Sequence, residues 1–251
     1  MKNLSELKII FFDVGNILVS DDPSGCYIYR RLYERITAEG TEISERDFFA
    51  NRVAHLLGGG SLWSYVAQYI PEAEFKDWQI EVRRHMYESW GRYSPAFPSM
   101  QNVPARLAER YRLGLLANQP AQVEDLLAER GQLHFFDVRG ISDKVGLKKP
   151  DPAFFQWGLE QAGVQPHEAL MIGDRIDNDI RPAKALGMRT LWLCLGKERQ
   201  VMIPQDEFEK EYLNSIRKVC WSDTAPERPE DEPDAKATSA AELLELLDVK
   251  G

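Results

Sequence analysis

The chain is short of cysteine, of positive charge and of long apolar runs. Each shortage excludes something. Its three cysteines, Cys26, Cys194 and Cys220, lie far apart and in no metal-ligand spacing. A disulfide framework and a thiolate metal site are thereby set aside, and the thiols read as buried or incidental. No apolar stretch approaches the ~20 residues that span a bilayer. The first apolar run stops at Asp13 after four residues, too soon for a signal-peptide core. A reducing cytoplasm is the expected setting. Lys and Arg number 31 against 40 Asp and Glu, a net charge of −9. That balance argues against nucleic acid and anionic membrane as partners, since both need a basic face. A small phosphorylated substrate stays compatible, because one pocket can be positive on an acidic protein. There is no internal repeat.

What is present is an alternating pattern. A hydrophobic fraction of 43% over 251 residues is enough for one large domain, or for a core with a smaller companion. Residues 8–12 (KIIFF) suit a strand buried on both faces, as in a parallel sheet. Further strands are predicted over 112–117, 135–141, 169–172 and 189–193. Helices are predicted over 101–110, 122–130, 152–162, 180–186 and 239–247. Alternation of this kind implies an α/β fold, a parallel sheet with helices on both faces. The stretch from 21 to 97 is different. Helical spacing runs over 27–39, 44–57, 61–70 and 72–90, with Ser44 to Asp47 as a capping box and Gly58, Gly59 and Gly60 as a stop. The expected organisation is an α/β core from residues 1–20 and 98–251, with an all-helical block, 21–97, inserted after the first strand. Residues 197–236 fit the alternation poorly. Within them 223–234 (DTAPERPEDEPD) is read as an exposed or mobile acidic loop.

In open α/β sheets ligands bind beyond the carboxyl ends of the strands. Asp13 ends the first strand and Asn118 follows the second. Lys149 precedes a helix in GLKKPDP, and Asp174 and Asp179 follow a later strand in MIGDRIDND. Two carboxylates at neighbouring strand ends call for a cation between them. Magnesium suits a few carboxylate oxygens, with water and a substrate phosphate completing its shell. A lysine beside them would neutralise phosphate charge and hold an attacking carboxylate. These are the parts of phosphoryl transfer. Each residue also has a plainer reading. Asp13 could serve a turn, Asp179 could cap the next helix, Asn118 could be a structural loop residue, and Lys149 could be solvated, as Lys148 is expected to be. His55 and His85 read as helix-surface or core residues, and Trp63, Tyr65, Trp78 and Trp90 as core. Arg52, Arg83 and Arg84 read as surface charges, one of which could reach an anionic substrate.

Four segments, FFDVGNILV, LGLLANQP, GLKKPDPAFF and MIGDRIDNDI, resemble in order and spacing the four motifs of the haloacid dehalogenase-like (HAD) hydrolase superfamily. The resemblance covers residues 8–195 and implies a Rossmann-like core with a helical cap of the first cap class. It implies Asp13 as a nucleophile forming an aspartyl-phosphate and also binding Mg2+, and the Gly15 carbonyl as a further metal ligand. It implies Lys149 as the bridge between nucleophile and phosphate, and Asp174 and Asp179 as the acidic metal partners. Ala117, Asn118 and the amides near them would meet the phosphate. The implied activity is a magnesium-dependent phosphatase of a small phosphorylated metabolite. Two positions depart from the pattern. Gly15 stands where the family's phosphatases carry a general acid–base Asp, and Ala117 where they carry Ser or Thr. A positioned general acid contributes about 10²–10⁴-fold, a small part of enzymatic accelerations of about 10⁶–10¹⁷-fold. His55, His85, Asp21 and Asp22 are candidate replacements. Two alternatives follow: a 2-haloacid dehalogenase-type hydrolase, against which Asp174 speaks, and a non-catalytic HAD-like binding protein.

Overall fold

The computed structural model describes residues 4–219, 226 and 228–247. These residues form two compact units. One comprises the described residues of Met1–Ser20, Ala96–Val201 and Trp221–Gly251, and the other those of Asp21–Pro95 and Met202–Cys220.

The first unit is built on a parallel sheet. Its strands are β1 (Ile9–Phe12), β2 (Arg112–Ala117), β3 (Phe136–Ile141), β4 (Ala169–Gly173), β5 (Arg189–Leu193) and β6 (Ala235–Ala237), in the order β3-β2-β1-β4-β5-β6. The five strands expected from sequence are present, and β6 extends the sheet beyond β5. All four side chains of β1 are fully buried. Successive side chains of a strand point to opposite faces, so a central strand covered on both sides must be apolar throughout. Ile9 and Phe11 enter the cluster of Leu116, Phe154, Phe155 and Met171 on one face. Phe11 gains its place because β2 carries Gly114 opposite. A Cβ there would stand 2.6 Å from the Phe11 ring. Chain order reverses at β1, with β2 and β3 on one side and β4, β5 and β6 on the other. The crevice at such a reversal is where open α/β sheets bind ligands.

In the stretch read as an exposed or mobile acidic loop, Arg228, Pro229, Glu230, Glu232 and Asp234 are exposed and Asp231 is buried. Residues 223–225 and 227 lie outside the described residues. The chain is tied to the first unit at Asp231, Glu232 and Asp234. Asp231 is buried and takes both Nε and Nη2 of Arg181, at 2.5 and 2.9 Å, together with Arg228. The Asp234 carboxylate accepts from the Thr190 amide at 2.8 Å and from its hydroxyl at 3.1 Å. Lys184 donates to the Glu232 carbonyl. Arg181 and Arg228 neutralise Asp231, and Thr190 holds Asp234. These anchors lead the chain into β6.

The second unit is helical: Asp22–Ala38, Glu45–Leu57, Leu62–Val66, Glu72–Tyr87 and Trp90–Tyr93, joined by Glu207–Val219. Ser44 accepts from the Asp47 amide, the cap its sequence predicts. Tyr65, Trp78 and Trp90 are buried, and Trp63 lies half-buried beneath the Arg83 guanidinium. The helix Glu207–Val219 falls far outside the 21–97 block marked by sequence. Its Phe208 packs 4.8 Å from the Phe49 ring and 5.4 Å from Tyr33. Tyr212 lies 5.8 Å from Phe49. Arg52, expected at the surface, is buried. It donates to the Ser215 hydroxyl at 2.7 Å, and its guanidinium lies 4.7 Å from the centre of the Tyr29 ring. The reason is periodicity: Phe208, Tyr212 and Ser215 recur at helical spacing and cover the aromatic face of Glu45–Leu57. No helix among the described residues is long and apolar enough to cross a membrane.

Truncating Phe208 removes a buried ring from this aromatic cluster. Phe208→Ala is expected to lower the unfolding free energy by about 3–5 kcal/mol in chemical denaturation. A loss below about 1 kcal/mol would place Glu207–Val219 outside the unit's core.

Candidate active site

The β1–β4 register fixes the first two functional positions. Phe12 pairs with Ile172, and the Asp13 amide continues the ladder to the Ile172 carbonyl at 2.9 Å. Asp13 and Asp174 therefore leave neighbouring strands at the same end of the sheet. After Asp13 the chain closes a tight loop. The Ile17, Leu18 and Val19 amides donate to the Val14 carbonyl, and the Asn16 amide to Val19. None of these bonds uses the carbonyl of Gly15, which is buried. Asn16 takes φ +56°, a left-handed conformation that Asn tolerates better than most residues.

Lys149 is the centre of the site. Its side chain is fully buried, with Nζ 2.9 Å from Asp13 Oδ1 and 2.6 Å from Asp179 Oδ1. Asn118 holds the lysine's backbone. Its side chain donates to the Lys149 carbonyl and accepts from the Lys149 amide, both at 2.8 Å. The plainer reading of Asn118 as a loop residue therefore describes where its side chain is spent. Asp151 caps the helix Pro152–Ala162 through the Ala153 amide. The Asp13 carboxylate is fixed a second time by the Val14 amide, 2.7 Å from Oδ1.

Asp179 sits in a single wide turn, Ile176–Ile180, and is fully buried. Its Oδ2 accepts from the Arg175 amide at 3.0 Å while Oδ1 meets Lys149. It does not cap the helix that follows; it closes its own turn and pairs with the lysine. Gly173 makes room for it, since a Cβ there would collide with the Asp179 carboxylate. Asp174 is buried too, and its carbonyl accepts from the indole nitrogen of Trp192 at 2.9 Å. Arg199 Nη1 stands 3.9 Å from Asp174 Oδ2. Ala117, the last residue of β2, is buried and offers only a methyl group.

Asp13, Asp174 and Asp179 can each present an oxygen such that all three lie within 4.8 Å of one another. The electrostatic cost of this is visible in their proton affinities. Burial pushes Asp174 up to about 8; Arg199 opposes the rise, and Asp179 and Asp13 add to it. Burial pushes Asp179 up to about 6, with Lys149 opposing and Asp13 adding. Burial works against the charge on Lys149, but Asp13 and Asp179 outweigh it and raise its pKa above the usual lysine value. Three carboxylates around one ammonium leave a surplus of negative charge in a place that penalises it. A hard divalent cation with oxygen ligands fits that surplus, and the donor set fits magnesium in kind.

Sequence reading brought Asp13, Asn118, Lys149, Asp174 and Asp179 to one place, and the structure assembles them there. It missed Trp192 and Arg199. No local motif marks either residue, and their roles depend on how β5 and the turn after it lie beside β4.

A family model described as a haloacid dehalogenase-like hydrolase matches residues 7–187. The chain belongs to that family. A glyceraldehyde 3-phosphate phosphatase of Pyrococcus abyssi is 28% identical over 197 residues, 76% of this chain and 83% of its own. A phosphoglycolate phosphatase of Vibrio vulnificus is 29% identical over 196 residues, 76% of this chain and 85% of its own. The crystal structure of a predicted phosphoglycolate phosphatase from Haemophilus somnus superposes with a TM-score of 0.67. It is 20% identical and covers 96% of this chain and 98% of that one. The last likeness is one of fold.

Two outcomes follow. Asn118→Ala leaves the Lys149 backbone groups without their partners, and each buried unsatisfied group costs about 1–3 kcal/mol. A loss of stability of at least about 1 kcal/mol is expected in denaturant titration; an unchanged midpoint would mean the clamp does not bear on the fold. The raised carboxyls give a pH signature. Their protonated forms are favoured in the folded state, so their contribution is present below the ordinary carboxylate range. It is lost as pH rises through about 6 and then about 8. A divalent cation held by the deprotonated carboxylates would reverse that loss. The gain in melting temperature on adding magnesium to chelator-treated protein is therefore expected to be larger at pH 8.5 than at pH 5. An equal or larger gain at pH 5 would contradict this account.

Proposed function

We propose that this protein is a magnesium-dependent phosphatase of a small phosphorylated metabolite, with Asp13 as its nucleophile. One observation carries the reading: the Lys149 ammonium is locked between Asp13 and Asp179 inside a cluster of three buried carboxylates. The two curated relatives, named as phosphatases and covered over most of their length, support the same chemistry.

Asp13 and Asp174 would hold the magnesium, with the Gly15 carbonyl and Asp179 completing or supporting the protein's share of its ligands. The bound ion supplies neutralisation of the phosphoryl oxygens and of the charge that builds on transfer. The remaining work falls to the chain. Lys149 and the Val14 amide hold the Asp13 carboxylate in one orientation. Asp13 attacks phosphorus, the bond to the leaving oxygen breaks, and that oxygen departs with the electron pair. Water then attacks the phosphorus of the aspartyl-phosphate, releasing phosphate and restoring the carboxylate. With the Asn118 amide spent on Lys149, phosphate contact is assigned to Lys149 and the backbone amides that follow Ala117. The helical unit is read as the family's cap, and the choice of substrate is assigned to it.

Gly15 sharpens the substrate. No side chain two residues after Asp13 protonates a departing alkoxide, a contribution of about 10²–10⁴-fold where it exists. Substrates whose leaving group departs without a proton, acyl and aryl phosphates, are therefore favoured over alkyl esters. The same nucleophile could attack carbon, as in a dehalogenase, but the three-carboxylate cluster has no use in that reaction.

The test is a panel of acyl, aryl and alkyl phosphates with magnesium or with chelator. Hydrolysis is expected with magnesium only, faster on acyl and aryl phosphates, and absent in Asp13→Asn. Hydrolysis in chelator, or activity retained in Asp13→Asn, would refute the reading. Magnesium binding without turnover of any substrate would point to the non-catalytic alternative.

A further inference from the structure

The family match ends at residue 187, yet the chain beyond it reaches the site. The β4–β5 ladder stops at the pair Gly173–Trp192. Asp174 is the first residue past that ladder, so its backbone has no strand partner to fix it. At that point the indole nitrogen of Trp192 donates to the Asp174 carbonyl at 2.9 Å. The indole itself is clamped. It is almost fully buried, packs with Ile176, Ile180 and Cys194, and carries the Lys236 ammonium of β6 4.3 Å from its ring centre. Its N–H therefore has one aim.

The N–H of the same peptide, that of Arg175, is held separately by the Asp179 carboxylate. Two side-chain bonds thus replace the sheet on either side of the Asp174–Arg175 peptide, and one of them comes from the Trp192 ring.

We propose that Trp192 is a positioning residue for the cation site: its indole N–H continues the sheet by one bond and fixes Asp174 for a divalent metal ion. This rests on the assignment of Asp174 as a magnesium ligand under Proposed function. A buried tryptophan must place its N–H somewhere, so a bond by itself marks only a satisfied core residue. The distinction lies in what the bond controls. Partners that orient ligands from outside the coordination shell typically change metal affinity by about 10–100-fold when removed. A merely structural bond changes stability and leaves affinity alone.

The experiment is calorimetric titration of magnesium into chelator-treated full-length protein. It compares the wild type, Trp192→Phe, which keeps a ring and removes the donor, and Leu244→Ala, a buried truncation in the helix Ala240–Leu246. Magnesium affinity about 10-fold weaker in Trp192→Phe and unchanged in Leu244→Ala is expected. Equal affinity in Trp192→Phe and wild type would overturn the inference while leaving the metal site intact. No magnesium binding by the wild type would overturn the site assignment, and this inference with it. A second measurement avoids any failure of the variant to fold: the Trp192 indole N–H signal of unaltered protein is followed by NMR as magnesium is added. A shift that tracks the binding isotherm supports the role, and an unmoving signal contradicts it.

Discussion

The buried ammonium of Lys149 is the interaction on which the site depends. Removing such a charge from water costs several kcal/mol, even after the protein relaxes around it. Asp13 and Asp179 repay that cost at 2.9 and 2.6 Å. They do so only because each is fixed independently. Asp13 is fixed by the end of β1 and the Val14 amide, and Asp179 by the Arg175 amide within its own turn. Asn118 then sets the lysine's backbone from a third strand end. Asp13, Asn118 and Asp174 follow the ends of three adjacent strands, β1, β2 and β4.

The same pairing explains why the cluster is acidic beyond its own needs. One ammonium offsets part of the charge of three carboxylates, and Asp174 in particular is pushed up to about 8 by burial. A fold that keeps such a residue at a strand end carries a standing electrostatic cost. The cost makes sense when a cation offsets it during function. Gly173 shows how tightly the arrangement is drawn, since even a methyl group there would strike Asp179. The departures at Gly15 and Ala117 leave this arrangement untouched. Neither position contributes a side chain to the ion pairs of Lys149.

Much of this was legible in the sequence, for identifiable reasons. Continuous apolar runs mark β1, β2 and β4 because central parallel strands are buried on both faces. Polar residues closing those runs mark the site. The parts that escaped are those whose signal is not local. The strand β6 is three residues long, Ala-Lys-Ala, and its place follows from Asp231 and Asp234 finding Arg181 and Thr190. The helix Glu207–Val219 did carry a signal. Phe208, Tyr212 and Ser215 share a face, and Asp206 caps the Glu209 amide while Glu209 caps Gln205. Residues 197–236 fit the strand–helix alternation poorly, and the acidic stretch within them masks that signal. Trp192 could not be read at all as part of the site, because its bond to Asp174 exists only once β4 and β5 lie side by side.

The central claim is that Asp13 accepts the phosphoryl group. It is tested most directly by acid-quenching the magnesium-loaded enzyme during turnover of an acyl phosphate and reducing the product with borohydride, which converts an aspartyl-phosphate to homoserine. Peptide mass spectrometry is expected to find homoserine at position 13 and aspartate unchanged at 174 and 179. Turnover without modification at position 13, or modification at another carboxylate instead, would contradict the account.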